Sequence, residues 1–213
     1  MRPRAVIFDL WETLIDWDRE ANAAMVAAVS EHAPEFRDRW SRSRNRYTAP
    51  IRVALADAGV PAGALEDVCA LRLDYVRKSL VPRAGAIETL RRLRDLDVLL
   101  GLITVCSEDV EVLWPSTPFA GLFDAEVFSS AIGLSKPDPR IYRHCCELLG
   151  VEPAAAVFVG DGANDELAGA ERVGMRAILI HRPGEDPFWP EVAAFTGPRI
   201  TSIPDVLEVL ELC

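Results

Sequence analysis

Short apolar runs recur along the chain, and most of them end beside a small or polar residue. The five clearest runs occupy residues 5–9, 98–104, 125–129, 156–160 and 175–180. Strands that are buried on both faces, as in parallel sheets, have nearly continuous apolar sequences. The pattern therefore predicts five buried parallel strands.

Helical periodicity separates these runs. Apolar residues in segment 87–96 recur at the spacing of one helix face, and segments 139–149 and 166–173 follow later strands. Pro204 and Asp205 suit the first turn of a final helix. This alternation predicts an α/β fold, a Rossmann-like, doubly wound parallel sheet.

One long interruption follows the first strand. Residues 17–81 contain no convincing strand, and segments 21–29, 36–47 and 65–80 carry helical patterns. We therefore predict a core domain, residues 1–16 and 82–213, and an inserted all-helical cap, residues 17–81. Ligands of open α/β sheets bind at the carboxyl ends of the strands, so the cap is placed to cover that edge.

The charge balance limits the classes of molecule that the protein is expected to bind. With 33 acidic and 23 basic residues the formal net charge is −10, whereas nucleic-acid binding needs a basic surface. No run approaches the roughly 20 apolar residues of a membrane span, and Asp9 and Glu12 interrupt any early signal-peptide core. We expect a cytoplasmic monomer or homodimer that acts on a small anionic substrate, with no nucleic-acid or membrane partner.

The first candidate for chemistry is Asp9, which ends the first apolar run and is followed four residues later by Thr13. A carboxylate at a strand end can attack phosphorus or carbon to form a covalent intermediate, and the hydroxyl can bind the transferred group or hold the loop. Alternatively, the two residues form an ordinary helix cap or turn.

Two further positions can bind an anion. Thr104 ends the second run, where its hydroxyl can meet an anionic oxygen; alternatively, Thr104 or Ser107 caps the next helix. Lys136 lies beside Pro137 just before a helix, and it is one of only two lysines in the chain. A fixed ammonium there can neutralise a substrate anion and align the nucleophile.

Acidic residues cluster after the fourth run. Asp161 follows the strand, and a glycine-containing turn then brings Asp165 and Glu166. Hard oxygen ligands at a strand end suit Mg²⁺. The segment therefore predicts a magnesium site, with either Asp165 or Glu166 as its second acid.

In this order, the four segments resemble the haloacid dehalogenase-like hydrolase superfamily, from about residue 6 to residue 180. The resemblance implies a Rossmann-like core, a helical cap inserted after the first strand and a covalent aspartyl intermediate. It also implies that Asp9 is the nucleophile and a metal ligand. Thr104 and Lys136 would bind the transferred group, and Asp161 would bind magnesium.

The chain departs from the family pattern beside the nucleophile. Trp11 stands where the phosphatases have a second aspartate, and indole can neither protonate a leaving group nor activate water. The backbone carbonyl of Trp11 could still bind the metal. Glu12 replaces the usual glycine; we expect a solvent-facing loop residue, with a substitute acid as the alternative. Counting back from Gly169 puts Glu166, rather than Asp165, at the usual second acidic position.

The predicted cap carries a cationic and aromatic stripe. Arg37, Trp40, Arg44 and Tyr47 are spaced by three, four and three residues, so they share one face of a predicted helix over 36–47. This face would suit an anionic substrate. Alternatively, the aromatic rings pack inside the cap while the arginines reach solvent.

These observations favour a magnesium-dependent phosphatase that acts on a small phosphorylated metabolite and is slowed by Trp11. An aromatic residue at position 11 also fits the family's 2-haloacid dehalogenases, which work without metal. Those enzymes typically lack the acid that this chain keeps as Asp161, and two such carboxylates repel unless a cation lies between them. A third alternative is a catalytically silent relative that binds a phosphorylated ligand or a partner.

Overall fold

Six parallel strands form one sheet at the centre of the molecule, in a computed structural model that describes residues 2–182, 184 and 189–212. The strands are β1 Ala5–Phe8, β2 Leu99–Thr104, β3 Ala125–Phe128, β4 Ala156–Gly160, β5 Arg176–Ile180 and β6 Arg199–Ile200. Their spatial order is β3-β2-β1-β4-β5-β6, and every pair is parallel. The predicted Rossmann-like, doubly wound α/β fold is confirmed.

Strand β1 lies in the middle of the sheet and is buried along its whole length. Its last residue, Phe8, is in register with Leu102 of β2 and Val159 of β4. The strand order reverses between β1 and β4, which creates the crevice where ligands bind in such sheets. Residues that follow β1 and β4 therefore meet at this crevice.

Ten α-helices accompany the sheet in the described part of the chain. They are α1 Arg19–His32, α2 Phe36–Arg42, α3 Ile51–Asp57, α4 Leu65–Ser79, α5 Ala86–Asp95, α6 Glu108–Leu113, α7 Ser129–Ile132, α8 Pro139–Leu149, α9 Glu166–Arg172 and α10 Asp205–Val209. Alternate residues of β1 enter two different hydrophobic clusters: Val6 and Phe8 join one, and Ala5 and Ile7 join the other. Both faces of the sheet are thus covered.

Segment 17–81 contains helices α1–α4 and short 3-10 turns, with no strand. Local signals fix the helix ends: Asp18 accepts a hydrogen bond of 2.8 Å from the backbone N–H of Ala21 at the start of α1. Helix α4 has acidic residues in its first turn and basic residues in its last, which suits the helix dipole. Among the described residues, none of the helices combines the length and the apolar character that a membrane span requires.

The predicted single helix over 36–47 is wrong. Helix α2 ends at Arg42, Ser43 has an extended conformation (φ −73°, ψ 122°), and a separate 3-10 turn covers Asn45–Tyr47. The extended residue breaks the 3.6-residue periodicity, so residues on either side of it no longer share a helix face. Helix α3 and the two-residue strand β6 were not predicted, because each offers too few residues for a clear periodic pattern.

Candidate active site

The candidate nucleophile Asp9 directly follows β1. Its backbone N–H donates a hydrogen bond of 2.9 Å to the carbonyl of Val159 in β4, which continues the strand pairing for one more residue. Its carboxylate is 7% exposed and accepts a hydrogen bond from the ammonium of Lys136. The backbone pairing therefore holds Asp9 at the edge of the sheet beside the β4 terminus.

Three carboxylates meet at this edge. Oxygen atoms of Asp9, Asp161 and Glu166 all lie within 4.8 Å of one another. Glu166 begins α9; its Oε2 accepts from Lys136 Nζ at 2.5 Å, and its Oε1 accepts from the backbone N–H of Gly162 at 3.1 Å. Lys136 therefore links Asp9 to Glu166.

Gly160 makes room for this arrangement. A Cβ atom at that position would lie 2.0 Å from Oε1 of Glu166, well inside van der Waals contact. Any side chain at the end of β4 would therefore displace Glu166 from the cluster. The glycine in the Val-Gly-Asp sequence thus has a steric reason that the sequence alone did not reveal.

The protonation of the cluster reflects both burial and charge. Burial raises the pKa of Asp9 and raises that of Glu166 well above its usual value; Lys136 opposes both shifts, and the neighbouring carboxylates add to them. Burial by itself would lower the pKa of Lys136, but Asp9 and Glu166 more than compensate and raise it. Lys136 is therefore charged. Its single positive charge does not fully offset the burial and mutual repulsion of the carboxylates beside it.

Asp161 is held by a residue that the sequence analysis missed. The indole Nε1 of Trp189 donates to Asp161 Oδ2 at 2.7 Å, and the backbone N–H of Ala163 donates to Oδ1 at 3.1 Å. Trp189 lies 28 residues beyond Asp161, after β5. No local spacing pattern could have connected the two residues, because only the sheet brings them together.

The structure separates the two candidates for the second acid. The side chain of Asp165 is 46% exposed and pairs with Arg172 at 3.0 Å, on the surface. Glu166 is buried inside the cluster. Of the two acids left open by the sequence, only Glu166 lies beside Asp9 in the described structure.

Both predicted threonines are fully buried, and among the described residues neither hydroxyl has a hydrogen-bond partner. Thr13 lies in the loop after β1 and Thr104 ends β2. Ser107 occupies the N-cap position of α6, but its side chain makes no capping hydrogen bond. The capping alternative for Thr104 and Ser107 is therefore wrong.

We expected Glu12 to face solvent, but the structure places it in an ion pair. Its side chain is 19% exposed and pairs at 2.9 Å with Arg83, which also donates to the backbone carbonyl of Glu12 at 2.6 Å and to Asp16 at 2.6 Å. The residue has a left-handed backbone, with φ 56°. An ion-paired carboxylate that holds a loop in this way is poorly suited to exchange protons with a substrate.

A cavity of about 630 Å³ lies between the predicted core and the predicted cap. Asp9, Lys136, Asp161 and Glu166 line its core side, and Trp11 lies at the same edge. From the predicted stripe, Arg37, Trp40 and Tyr47 line the cap side.

Arg44, the fourth member of that stripe, is exposed and does not line the cavity. The break after α2 rotates it away, and its sequence neighbour Arg46 lines the cavity instead. The prediction that Arg44 faces the substrate is therefore wrong.

Arg72 on α4 is a second residue that the sequence analysis missed. Its side chain is buried and donates to Asp109 Oδ2 and to Ser107 Oγ, both at 2.8 Å, while its guanidinium lies 4.4 Å from the ring centre of Trp40. Asp109 belongs to α6 of the core. This ion pair therefore joins the predicted cap to the loop that follows Thr104.

The parallel sheet places Asp9, Asp161 and Lys136 together at the carboxyl ends of its strands. This combination is typical of hydrolases of the haloacid dehalogenase type. Residues 3–174 match the family model described as haloacid dehalogenase-like hydrolase. The chain belongs to this family.

Relatives of known activity include both phosphatases and dehalogenases. A glyceraldehyde 3-phosphate phosphatase from Methanopyrus kandleri is 36% identical over 106 residues, which is 48% of this chain and 45% of that protein. An (S)-2-haloacid dehalogenase from Burkholderia cepacia is 27% identical over 198 residues, 86% of this chain and 85% of that protein. The chain thus spans under half of the first relative and most of the second.

Among solved structures, a phosphatase of this family from Thermococcus onnurineus superimposes with a TM-score of 0.75. It is 23% identical, with 97% of each chain covered. At that identity the likeness describes the fold, and it extends through the predicted cap as well as the core.

Proposed function

We propose that this protein is a magnesium-dependent phosphatase that acts on a small phosphorylated metabolite through a phospho-Asp9 intermediate. The observation that carries the proposal is the cluster of Asp9, Asp161 and Glu166, in which Lys136 pairs with Asp9 and Glu166. Three adjacent carboxylates with one ammonium among them leave a deficit of positive charge that a divalent cation would supply. Phosphatase relatives in the same family support this choice.

The donor set fits magnesium. Carboxylate oxygens within 4.8 Å of one another are hard ligands of the kind that Mg²⁺ takes, usually with several waters. Asp9 and Asp161 would hold the ion, with the Trp11 backbone carbonyl as a further ligand and Glu166 in support. When bound, the ion would withdraw charge from the phosphoryl oxygens and reduce their repulsion of the nucleophile.

The residues of the chain divide the remaining work. Asp9 attacks phosphorus, the bond from phosphorus to the ester oxygen breaks, and Lys136 neutralises charge on the transferred group. The hydroxyls of Thr13 and Thr104 have no described partner but lie outside the cavity lining, so donation from either to a phosphoryl oxygen would require that side chain to turn toward the bound ester. Water then attacks the phosphorus of phospho-Asp9, which releases phosphate and restores the carboxylate.

Trp11 explains why turnover would be slow. The departing alkoxide needs a proton and the attacking water must lose one, and indole performs neither task. Glu12 does not replace it, because Arg83 holds that carboxylate in an ion pair. We therefore expect hydrolysis of phospho-Asp9 to limit the rate.

Assays with p-nitrophenyl phosphate and magnesium test the proposal. We expect a burst of nitrophenol equal to the enzyme concentration, then slow turnover, and no burst with Asp9→Asn. Beryllium fluoride should bind the wild type but not that variant. Absence of both cleavage and beryllium fluoride binding would exclude phosphatase activity, and fast linear turnover would exclude the rate-limiting role of hydrolysis.

Dehalogenation of a 2-haloacid is the second candidate. It is supported by the aromatic residue at position 11 and by the B. cepacia relative, which is matched over most of both chains. In that reaction Asp9 would attack carbon and expel halide without a metal. Halide release from 2-chloropropionate in EDTA would establish it, and no release would eliminate it. A silent phospho-ligand binder would be inactive in both assays yet gain thermal stability from a phosphorylated ligand.

A further inference from the structure

The charges around the cavity are unevenly distributed. Its core side carries the three clustered carboxylates with Lys136, whereas the cap side carries Arg37, Arg46 and Arg72. Arg72 is neutralised by Asp109. The cap side therefore keeps positive charge that no described carboxylate balances.

Among the described residues, Arg46 is held in place without an ionic partner. Its Nη1 donates a hydrogen bond of 3.1 Å to the backbone carbonyl of Trp40, and its guanidinium lies 4.3 Å from the ring centre of Tyr47. Its Nε is buried and has no hydrogen-bond partner among the described residues. The side chain is therefore held on the cavity wall by neutral groups, and no described carboxylate balances its positive charge.

Neighbouring cap arginines behave differently. Arg39 pairs with Glu35 at 2.7 Å, and Arg52 pairs with Glu66 at 2.5 Å, although all four side chains are more than half exposed. Arg42 lies 3.8 Å from Asp38. Arg46 lies deeper than these three arginines, yet within the described part of the predicted cap it has no such acid.

We propose that Arg46 binds a second anionic group of the substrate, at the end opposite to the scissile phosphate. The preferred substrate would then be a phosphate monoester that also carries a carboxylate or a second phosphate. This proposal rests on the proposed phosphatase function, because it places the first phosphate at Asp9. Arg37, also on the cavity wall and without a described ion pair, adds positive charge at its exposed rim.

The geometry of the guanidinium suits such a group. Nη1 is engaged by the carbonyl of Trp40 and Nε is enclosed by protein, whereas no described contact engages Nη2. The N–H groups of Nη2 can therefore donate a charge-assisted hydrogen bond to a carboxylate or phosphate oxygen. Stacking on Tyr47 restricts the side chain beforehand and reduces the entropy lost on binding.

Binding of stable phosphonates tests this directly by calorimetry with excess magnesium. The probes are an alkylphosphonate, phosphonocarboxylates of increasing length beginning with phosphonoacetate, and an alkane bisphosphonate. We expect the best two-anion probe to bind wild type about tenfold or more tighter than an alkylphosphonate of equal length. The carboxylate and bisphosphonate arms distinguish the two kinds of second anion.

Variants assign the preference to one side chain. In Arg46→Met the preference should fall below about threefold, and in Arg46→Lys it should be intermediate, since the charge remains but the planar group stacked on Tyr47 does not. Arg42→Met, a matched change on the exposed side of the same cap segment, should keep the full preference. Circular dichroism and the melting temperature confirm that each variant folds.

Each outcome bears on one proposal or both. A wild type without preference, or an Arg46→Met variant that keeps it, overturns the role of Arg46 even when p-nitrophenyl phosphate is cleaved. If no phosphonate binds and no phosphate ester is cleaved, the phosphatase proposal fails and the role of Arg46 fails with it.

Discussion

Trp189 donates its indole N–H to Oδ2 of Asp161 across 2.7 Å, from a segment that follows β5 to the carboxylate that follows β4. The contact fixes one oxygen of a candidate metal ligand, while the N–H of Ala163 fixes the other at 3.1 Å. Groups that hold a metal ligand by a hydrogen bond orient it for the ion.

Replacing this indole should weaken metal binding. We expect Trp189→Phe to reduce magnesium affinity about tenfold or more, because Asp161 loses the donor that orients it. Isothermal titration calorimetry provides the measurement. Trp17→Phe is the control, since Trp17 has no described contact with the carboxylate cluster. Equal affinity in wild type and Trp189→Phe would show that the hydrogen bond is incidental.

Replacing Thr104 with valine should affect stability and activity differently. Its buried hydroxyl has no described partner, so Thr104→Val removes an unsatisfied donor and should leave the free energy of unfolding unchanged or about 1 kcal/mol higher. The same change should lower kcat/KM for phosphate esters by about tenfold or more, since a donor to the transferred group is lost. Urea denaturation and steady-state kinetics measure the two effects. A large loss of stability would mean that the hydroxyl has a structural partner.

The effects of replacing Arg72 and Asp109 on the free energy of unfolding should be strongly coupled, because the two side chains form a buried ion pair. Both side chains are at most 5% exposed, so Arg72→Met, which strands a buried charge, should cost about 3 kcal/mol of unfolding free energy. The double variant with Asp109→Asn should cost at least about 1 kcal/mol less than the sum of the single changes.

Urea unfolding of all four proteins completes this double-mutant cycle. The exposed pair of Arg39 and Glu35 is the control, and its coupling should stay below about 0.5 kcal/mol. Additive effects at Arg72 and Asp109 would contradict the prediction.

Magnesium should reverse the pH dependence of stability that Glu166 causes. Its pKa in the folded protein is raised above the ordinary 4.5, mainly by burial, so above that pH the folded state holds a proton that the unfolded state has lost. Without metal, the free energy of unfolding therefore falls as the pH rises from the ordinary pKa of 4.5 through the raised pKa, because ionising the buried carboxylate is unfavourable. With magnesium, the ionised carboxylate becomes favourable.

Melting temperatures of wild type and Glu166→Gln between about pH 5 and pH 8 provide the test. Without metal the variant should become increasingly more stable than wild type as the pH rises. Saturating magnesium should give wild type the advantage instead. A difference that is independent of pH and metal would mean that Glu166 neither changes protonation in this range nor supports the ion.

Much of the fold could be predicted because its signals are local. The five apolar runs correspond to β1–β5 within one residue at each end, and the helix predicted over 139–149 has the bounds of α8. Burial on both faces forces continuous apolar sequence, so such strands are visible without knowing their neighbours. The helix predicted over 36–47 failed because one extended residue, Ser43, ended α2 without a proline or glycine to signal it.

The sequence by itself determined the order of elements and the strand-end positions of Asp9, Thr104 and Asp161, because residue type and periodicity are properties of the chain. Only the tertiary structure decided which side chains meet. It placed Glu166 rather than Asp165 in the cluster, and Arg46 rather than Arg44 at the cavity. It also brought Trp189 to Asp161. These choices depend on the rotation of each helix and on packing between distant segments, which no local pattern records.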